Sequence, residues 1–375
     1  MIHICYAVSD KKGTYTKFVG ASICSLFEHT KEWVTVHFMH DHTLSVDNRR
    51  FLMQLVRSYG QQILLHDVEK PYLERWQKAA ERIKGWDEYP QGYWYPLLLG
   101  EVLKGIERVI YLEPDTIVNL DIADLWQEYV GTNGLGAVED PFRQGGYFNT
   151  GVLLLDLKIF GKQKKILERG VDFLQDNEKS ESPVAAIFNC FFGEEVFLLP
   201  QKYNTNVKFE ISQKHETVEK AIYHYSGQTY AMEAIGNYNR VFFDYLTKTP
   251  WCNADFLANM VRQIHQHNCS LMMGYANLIA GKKRIVIGLD GEKERLKKIL
   301  LLRENEEFLT IKNFNKRGLS LNPGEILLFF IKPDEFINVK KHLESCGCKE
   351  GIHFLNGNVF LYRDASQDAR ILRES

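Results

Sequence analysis

The chain has 375 residues, too long for one compact core and suited to two domains. Its apolar fraction of 45% and charged fraction of 25% are those of a globular protein, and a net charge of -2 leaves no basic footprint for nucleic acid or anionic lipid. Seven scattered cysteines without zinc-finger spacing fit reduced thiols in the cytoplasm, and no leader sequence or apolar run of membrane-spanning length is evident.

In chain order, Ile2–Val8 (IHICYAV) reads as a strand and Ser9–Thr14 as a polar turn. Val19, Ile23, Leu26 and Phe27 form the apolar stripe of a helix over Thr16–His29. Val34, Val36 and Phe38 alternate as a strand that ends in the polar loop His40–Thr43. Asp47 is placed to cap a second helix that buries Phe51, Leu52, Leu55, Val56 and Tyr59. Gln62–His66 is a third strand. This β-α-β-α-β order predicts a parallel sheet with right-handed crossovers, hence the α/β class. The first turn lacks Gly-x-Gly-x-x-Gly, so a nucleotide bound here must be held by other means, for example by a metal on its phosphates. Gly85–Tyr95 (GWDEYPQGYWY) is an aromatic loop, for which packing onto the body is preferred over stacking on a sugar or base, and Pro96–Lys104 follows as a helix.

The centre of the chain is Arg108–Trp126 (RVIYLEPDTIVNLDIADLW). Arg108–Leu112 is a short buried strand, and Pro114 stops it because proline has no backbone N–H to donate. Glu113 and Asp115, at i and i+2 of an extended chain, project to one side at the carboxyl edge of the sheet, where α/β proteins bind ligands. Two such carboxylates suit a magnesium-type ion that keeps its other positions for phosphate and water, although an isolated acid-x-acid triplet more often solvates a loop. Leu135–Glu139 is a further strand ending at Asp140-Pro141, and Phe142–Gly146 a flexible loop. The Tyr147–Gly151 turn feeds the apolar strand Val152–Leu157, and Ile166, Leu167, Val171 and Leu174 mark a helix. Lys162, Lys164 and Lys165 read as a solvated face. Leu198–Asn204 and Ala221–Gly227 close the domain. His224, between a short apolar run and a polar turn, is of the type that completes coordination by an acid pair, or else a structural, hydrogen-bonded histidine.

Taken together, IHICYAV, YLEPDTIVNLDIADLW, GAVED, YFNTGVLLLDL, LLPQKYN, HYSG and FFDYLTKTPW resemble the retaining glycosyltransferases of family 8, which include bacterial lipopolysaccharide galactosyl- and glucosyltransferases and glycogenin. The resemblance covers roughly residues 1–251 and implies a GT-A fold, a UDP-sugar donor and a divalent cation, Mn²⁺ or Mg²⁺. It implies Glu113, Asp115 and His224 as metal ligands. Ala7, Ser9 and Asp10 would lie at the uridine, Asp115, Thr150 and Gly227 would complete the donor contacts, and Asp140 and Asn149 would be the catalytic positions at the donor sugar. The departures are Glu113 as the first acid, Ser9 for the uridine-side acid, and Pro96 for an arginine. Ser182–Ala186 stands for an acid-Gln-acid run, and Gln228–Ala231 for a Lys-Pro-Trp whose lysine pairs with the diphosphate.

Residues 252–281 read as a helical linker, with Phe256, Met260 and Ile264 at helical spacing. Residues 282–375 read as a small Rossmann-like α/β domain: strands Lys283–Asp290, Phe308–Ile311, Ile326–Ile331, Ile352–Leu355 and Val359–Tyr362, with helices Glu292–Leu302 and Glu335–Cys346. Gly347 is expected as a helix C-terminal cap. The functional expectation is a metal-dependent transferase moving a hexose from a UDP-sugar to a bacterial glycan, a lipid-linked sugar or a glycoprotein. The alternative is an inactive homologue that supports a partner glycosyltransferase, with the C-terminal domain as the oligomer or partner contact.

Overall fold

The computed structural model describes residues 1–130, 132, 134–143, 145–160, 165–176, 182–215, 217–226, 237–289, 291–300, 304, 306–317 and 321–361. The chain divides into two compact units, Met1–Asn253 and Ala254–Ser375.

The first unit is built on a seven-stranded sheet. Its strands are β1 (Ile2–Val8), β2 (Val34–His40), β3 (Gln62–Asp67), β4 (Arg108–Leu112), β6 (Leu135–Glu139), β7 (Phe148–Asp156) and β8 (Phe197–Leu198). The order is β3-β2-β1-β4-β7-β6-β8. The opening β-α-β-α-β series forms the expected parallel arrangement, and β4 joins it in parallel beside β1. Beyond β4 the sheet is mixed, because β7 runs antiparallel to both β4 and β6. The Asn149-Thr150-Gly151 stretch, expected as a turn, lies within β7, and the irregularity this requires falls between Ala137 and Val138 of β6.

Helix α1 (Thr16–His29) carries the predicted stripe, and α2 (Val46–Ser58) is capped by Ser45 rather than Asp47. The Ser45 side chain accepts from the Asn48 N–H at 3.1 Å, while Asp47 sits in the first turn and pairs with Arg50 at 3.0 Å. Gln91–Leu98 is a 3₁₀ segment containing Pro96, followed by a single α turn, Leu99–Val102, in place of the one helix expected. A proline ring obstructs the carbonyl four residues earlier, which favours the tighter winding around it.

The aromatic loop is core. Trp86 and Trp94 are buried and stack at 4.1 Å, Trp76 packs beside them, and the Tyr95 hydroxyl donates to Asp41 at 2.7 Å. Burial pushes the Asp41 carboxyl up, but hydrogen bonds from Thr43 and Tyr95 outweigh it and hold the pKa below its ordinary value. Gly92 lets this loop lie directly on the end of β1: a Cβ there would stand 2.4 Å from the Ser9 nitrogen.

A row of imidazoles crosses the first three strands. His3 Nδ1 lies 3.0 Å from His37 Nε2, and His37 Nδ1 lies 3.0 Å from His66 Nε2. Burial first, then the neighbouring His66 and His3, lowers the His37 pKa to about 4. The unfolded chain therefore takes up a proton near pH 6.5 that the folded chain refuses until about pH 4. The contribution of His37 to stability is expected to be flat above pH 7 and to fall by about 3 kcal/mol as the pH drops through that window. Urea unfolding midpoints against pH check this, and His37→Asn should flatten the slope.

The second unit has a four-stranded parallel sheet of order β12-β11-β13-β14, made from β11 (Lys283–Gly288), β12 (Glu307–Thr310), β13 (Glu325–Phe329) and β14 (Phe354–Asn356). Residues 357–361 form a 3₁₀ turn, where the expectation was a strand. Residues 254–279, read as linkage, are one helix that contributes Ala276 and Ile279 to the core of this unit. Buried Arg284 clamps Glu306 through two 2.6 Å contacts. Helix Pro333–Ser345 ends as expected at Gly347 (φ 83°): the Gly347 N–H donates to the Glu344 carbonyl, and the Cys348 N–H to the Leu343 carbonyl.

Candidate active site

Pro114 ends β4, and the chain re-enters order as β5 (Thr116–Val118), which leaves the main sheet. β5 is pinned to α1, where Ser22 Oγ lies 3.1 Å from Thr116 Oγ1 and Ser25 Oγ accepts from the Val118 N–H at 2.8 Å. It pairs antiparallel with β10 (Ile222–His224), which also pairs with β9 (Thr205–Asn206). The register sets His224 opposite Thr116, and the Tyr225 N–H donates to the Asp115 carbonyl at 2.9 Å. Residues more than a hundred positions apart in sequence are thereby brought together.

Among the described residues, Glu113, Asp115 and His224 form the group of acids and histidines whose ligand atoms all lie within 4.8 Å of one another. His224 Nε2 is 2.9 Å from Glu113 Oε2 and 3.6 Å from Asp115 Oδ1. The histidine side chain is 2% exposed, while Glu113 and Asp115 keep 29% and 13%. Burial lowers the His224 pKa, yet hydrogen bonding and charge from Glu113, with Asp115 and Asp140 adding, override this and push it to about 9. Burial raises the Asp115 pKa, as does the neighbouring Glu113, against the opposing pull of His224. Two carboxylates crowded at a partly open edge need a positive charge, and here the imidazolium supplies it. This donor set, one nitrogen and two hard oxygens, fits a divalent cation.

Behind the cluster, β7 provides two residues on one face. The Gly151 carbonyl accepts from the Glu113 N–H at 2.8 Å, and the Gly151 N–H donates to Asn149 Oδ1 at 2.8 Å. Gly151 also makes room for the histidine, since a Cβ would fall 2.2 Å from His224 Cε1. Asn204 Nδ2 donates to Asn149 Oδ1 at 2.9 Å, and Asn204 Oδ1 lies 3.1 Å from His224 Nδ1. Neither Asn204 nor Gly151 was assigned a role from sequence. A glycine inside an apolar strand is a readable sign of close approach, whereas nothing in the one-dimensional pattern around Asn204 points to His224.

The remaining expected residues divide. Asp140 joins the group, 3.4 Å from Asn149 Nδ2, and its other oxygen accepts from the Phe142 N–H. Strand alternation turns Thr150 to the opposite face of β7 from Asn149 and Gly151. Ala7 and Ser9 are buried at the end of β1. Asp10 is turned inward. Its carboxylate accepts from the Tyr15 and Thr16 N–H groups at 2.9 and 2.8 Å, from the Thr16 hydroxyl at 2.6 Å and from Asn48 Nδ2 at 3.1 Å. It thus satisfies the N-terminus of α1 instead of facing the cluster. Where an arginine and an acid-Gln-acid run were expected, Pro96 is buried, and the Val184 N–H at the start of helix Pro183–Phe192 donates to the Tyr93 hydroxyl at 3.1 Å. Gly227 and residues 228–231 lie outside the described residues.

Residues 4–230 match the family described as glycosyl transferase family 8. A lipopolysaccharide 1,2-glucosyltransferase of Escherichia coli is 25% identical over 297 residues, which is 71% of this chain and 83% of that protein. The galactosyltransferase LgtC, solved with donor and acceptor sugar analogues, aligns over 68% of this chain and 99% of its own with a TM-score of 0.57 and 20% identity. The glycosyltransferase GlyE of Streptococcus pneumoniae aligns over 95% of this chain and 80% of its own, with a TM-score of 0.51 and 15% identity. These two likenesses establish the fold. No helix among the described residues is long and apolar enough to cross a membrane.

Proposed function

The chain belongs to glycosyl transferase family 8, and from that premise we propose that it moves a hexose from a UDP-sugar to a hydroxyl of a bacterial glycan, lipid-linked sugar or glycoprotein, with Mn²⁺ or Mg²⁺ held by Glu113, Asp115 and His224. The observation that carries this reading is the convergence of those three side chains at the carboxyl edge of β4, inside the residues that match the family. A cation there supplies Lewis-acid neutralisation of the departing diphosphate. Glu113 and Asp115 present the carboxylate oxygens that bind it, and His224 contributes its inner nitrogen once the proton there is given up.

The end of β1, with Ala7 and Ser9, is the proposed uridine side. Asp10 acts by holding the Ser9–Thr14 turn against α1, a role that follows from its four hydrogen bonds. Asp140, half-exposed beside Asn149, is the proposed carboxylate at the donor sugar. Asn149 is a positioning residue, because its oxygen is already engaged by Gly151 and Asn204. The supporting-partner alternative is not favoured: the acid–acid–histidine cluster is assembled, and the lipopolysaccharide relative is named as a glucosyltransferase.

The test is calorimetric titration of UDP into wild type and Asp115→Ala, with and without Mn²⁺. Wild type is expected to bind UDP in a Mn²⁺-dependent manner, and Asp115→Ala to lose at least about tenfold in affinity by removal of one charged ligand. Wild type that ignores UDP under both conditions defeats the proposal.

A further inference from the structure

The hydrogen bonds behind His224 form a chain in which each polarity is dictated by the group before it. The Gly151 backbone N–H can only donate, and it points at one end of the Asn149 amide at 2.8 Å. The other end of that amide faces Asp140 Oδ2 at 3.4 Å, an acceptor. Both neighbours therefore demand that Asn149 turn its oxygen to Gly151 and its nitrogen to Asp140. The Asn149 oxygen also meets Asn204 at 2.9 Å, so Asn204 must place its nitrogen there. Its own oxygen is left toward His224 Nδ1, 3.1 Å away. That nitrogen must carry a hydrogen.

From this we infer that Asn204 is a positioning residue that keeps His224 protonated on Nδ1, so that the only nitrogen able to offer a lone pair is Nε2, the one facing Glu113 and Asp115. An imidazole free to exchange tautomers would spend part of its time with hydrogen on Nε2, where it competes with a cation. It could also turn its ring within the pocket. Asn204 suppresses both, and it is itself 2% exposed and held by Asn149. The device originates in a backbone N–H, which cannot change polarity. Groups behind a metal-binding histidine commonly set its affinity for the ion by ten- to a hundredfold. The inference rests on the metal reading proposed above and goes beyond it by assigning roles to Asn204 and to the polarity of the Asn149 amide.

The test uses the full chain and Mn²⁺ alone as the probe, with Asn204→Leu and Asn204→Asp. The leucine removes both hydrogen bonds at similar volume, whereas the aspartate keeps an acceptor for the His224 Nδ1–H. Asn204→Leu is expected to bind Mn²⁺ about ten- to a hundredfold more weakly, and Asn204→Asp to recover most of that loss. The tautomer is read directly by nitrogen NMR of histidine-labelled protein saturated with Mg²⁺. Wild type is expected to show His224 with hydrogen on Nδ1 and none on Nε2, and Asn204→Leu a mixture. A folded Asn204→Leu that binds Mn²⁺ as wild type does, or a wild-type spectrum with Nδ1 lacking hydrogen, overturns the inference while leaving the metal site standing. Wild type that binds neither Mn²⁺ nor Mg²⁺ instead removes the metal reading, and this inference with it. Should Asn204→Leu not fold, the wild-type spectrum decides alone.

Discussion

Gly151→Ala is expected to abolish Mn²⁺ binding and reduce transfer at least about a hundredfold, the scale on which displacements near 1 Å disable a site. The added methyl would stand 2.2 Å from His224 Cε1 and 2.4 Å from Nδ1, contacts that real carbon atoms do not make. The ring has little freedom to retreat. Nδ1 is tied to Asn204, and β10 is paired on both edges, to β5 and to β9. The backbone of Gly151 is committed as well, with its carbonyl on the Glu113 N–H and its own N–H on Asn149. Relief must come from moving His224 away from the carboxylates or β7 away from β4, and either one opens the cluster. The stability cost should be about 1–3 kcal/mol, typical of overpacking, so the variant should fold and can be titrated. Wild-type Mn²⁺ affinity in a folded Gly151→Ala would show that the cluster is not the cation site.

Trp94→Ala should produce the largest loss of stability, about 3–5 kcal/mol. The side chain is fully buried and stacked on Trp86 at 4.1 Å, with Tyr89 and Tyr93 edge-on to it. Removing it leaves a cavity between the sheet and the loop that lies on the end of β1. For a unit of 253 residues the loss corresponds to a fall in Tm of about 10 °C. Tyr129→Ala, at an exposed position, should change Tm by no more than a degree or two. Thermal unfolding of the two variants distinguishes a core aromatic from a surface one. A Trp94→Ala protein as stable as wild type, but weakened toward its donor, would return this loop to the ligand-stacking role set aside above.

The local chemistry of the site was readable in one dimension. An apolar run broken by Pro114 marks a strand end, and two acids at i and i+2 share a face whatever the strand pairs with, because that face follows from backbone geometry. The helix stripe of residues 16–29 and the Gly347 cap are local in the same sense, and so is the aromatic loop, whose tryptophans have too much apolar surface to leave in water. Family membership was legible too, since the quoted motifs lie in order along the chain.

What only the tertiary structure decided depends on groups far apart in sequence. Asp10 and Ser9 look alike as polar turn residues, yet Asp10 is claimed by α1 because unpaired N–H groups at a helix start attract a carboxylate. The direction of β7 was not given by its apolar run, which is compatible with parallel or antiparallel pairing. The placement of His224 beside Glu113 and Asp115 was decided by a small sheet that β5 forms after leaving the main one. The orientation of its ring depends on Asn204, twenty residues away, and on the missing side chain of Gly151. Sequence specifies which groups can donate, accept or ligate. Which of them meet is a matter of strand register, and that is set by the packing of the whole unit.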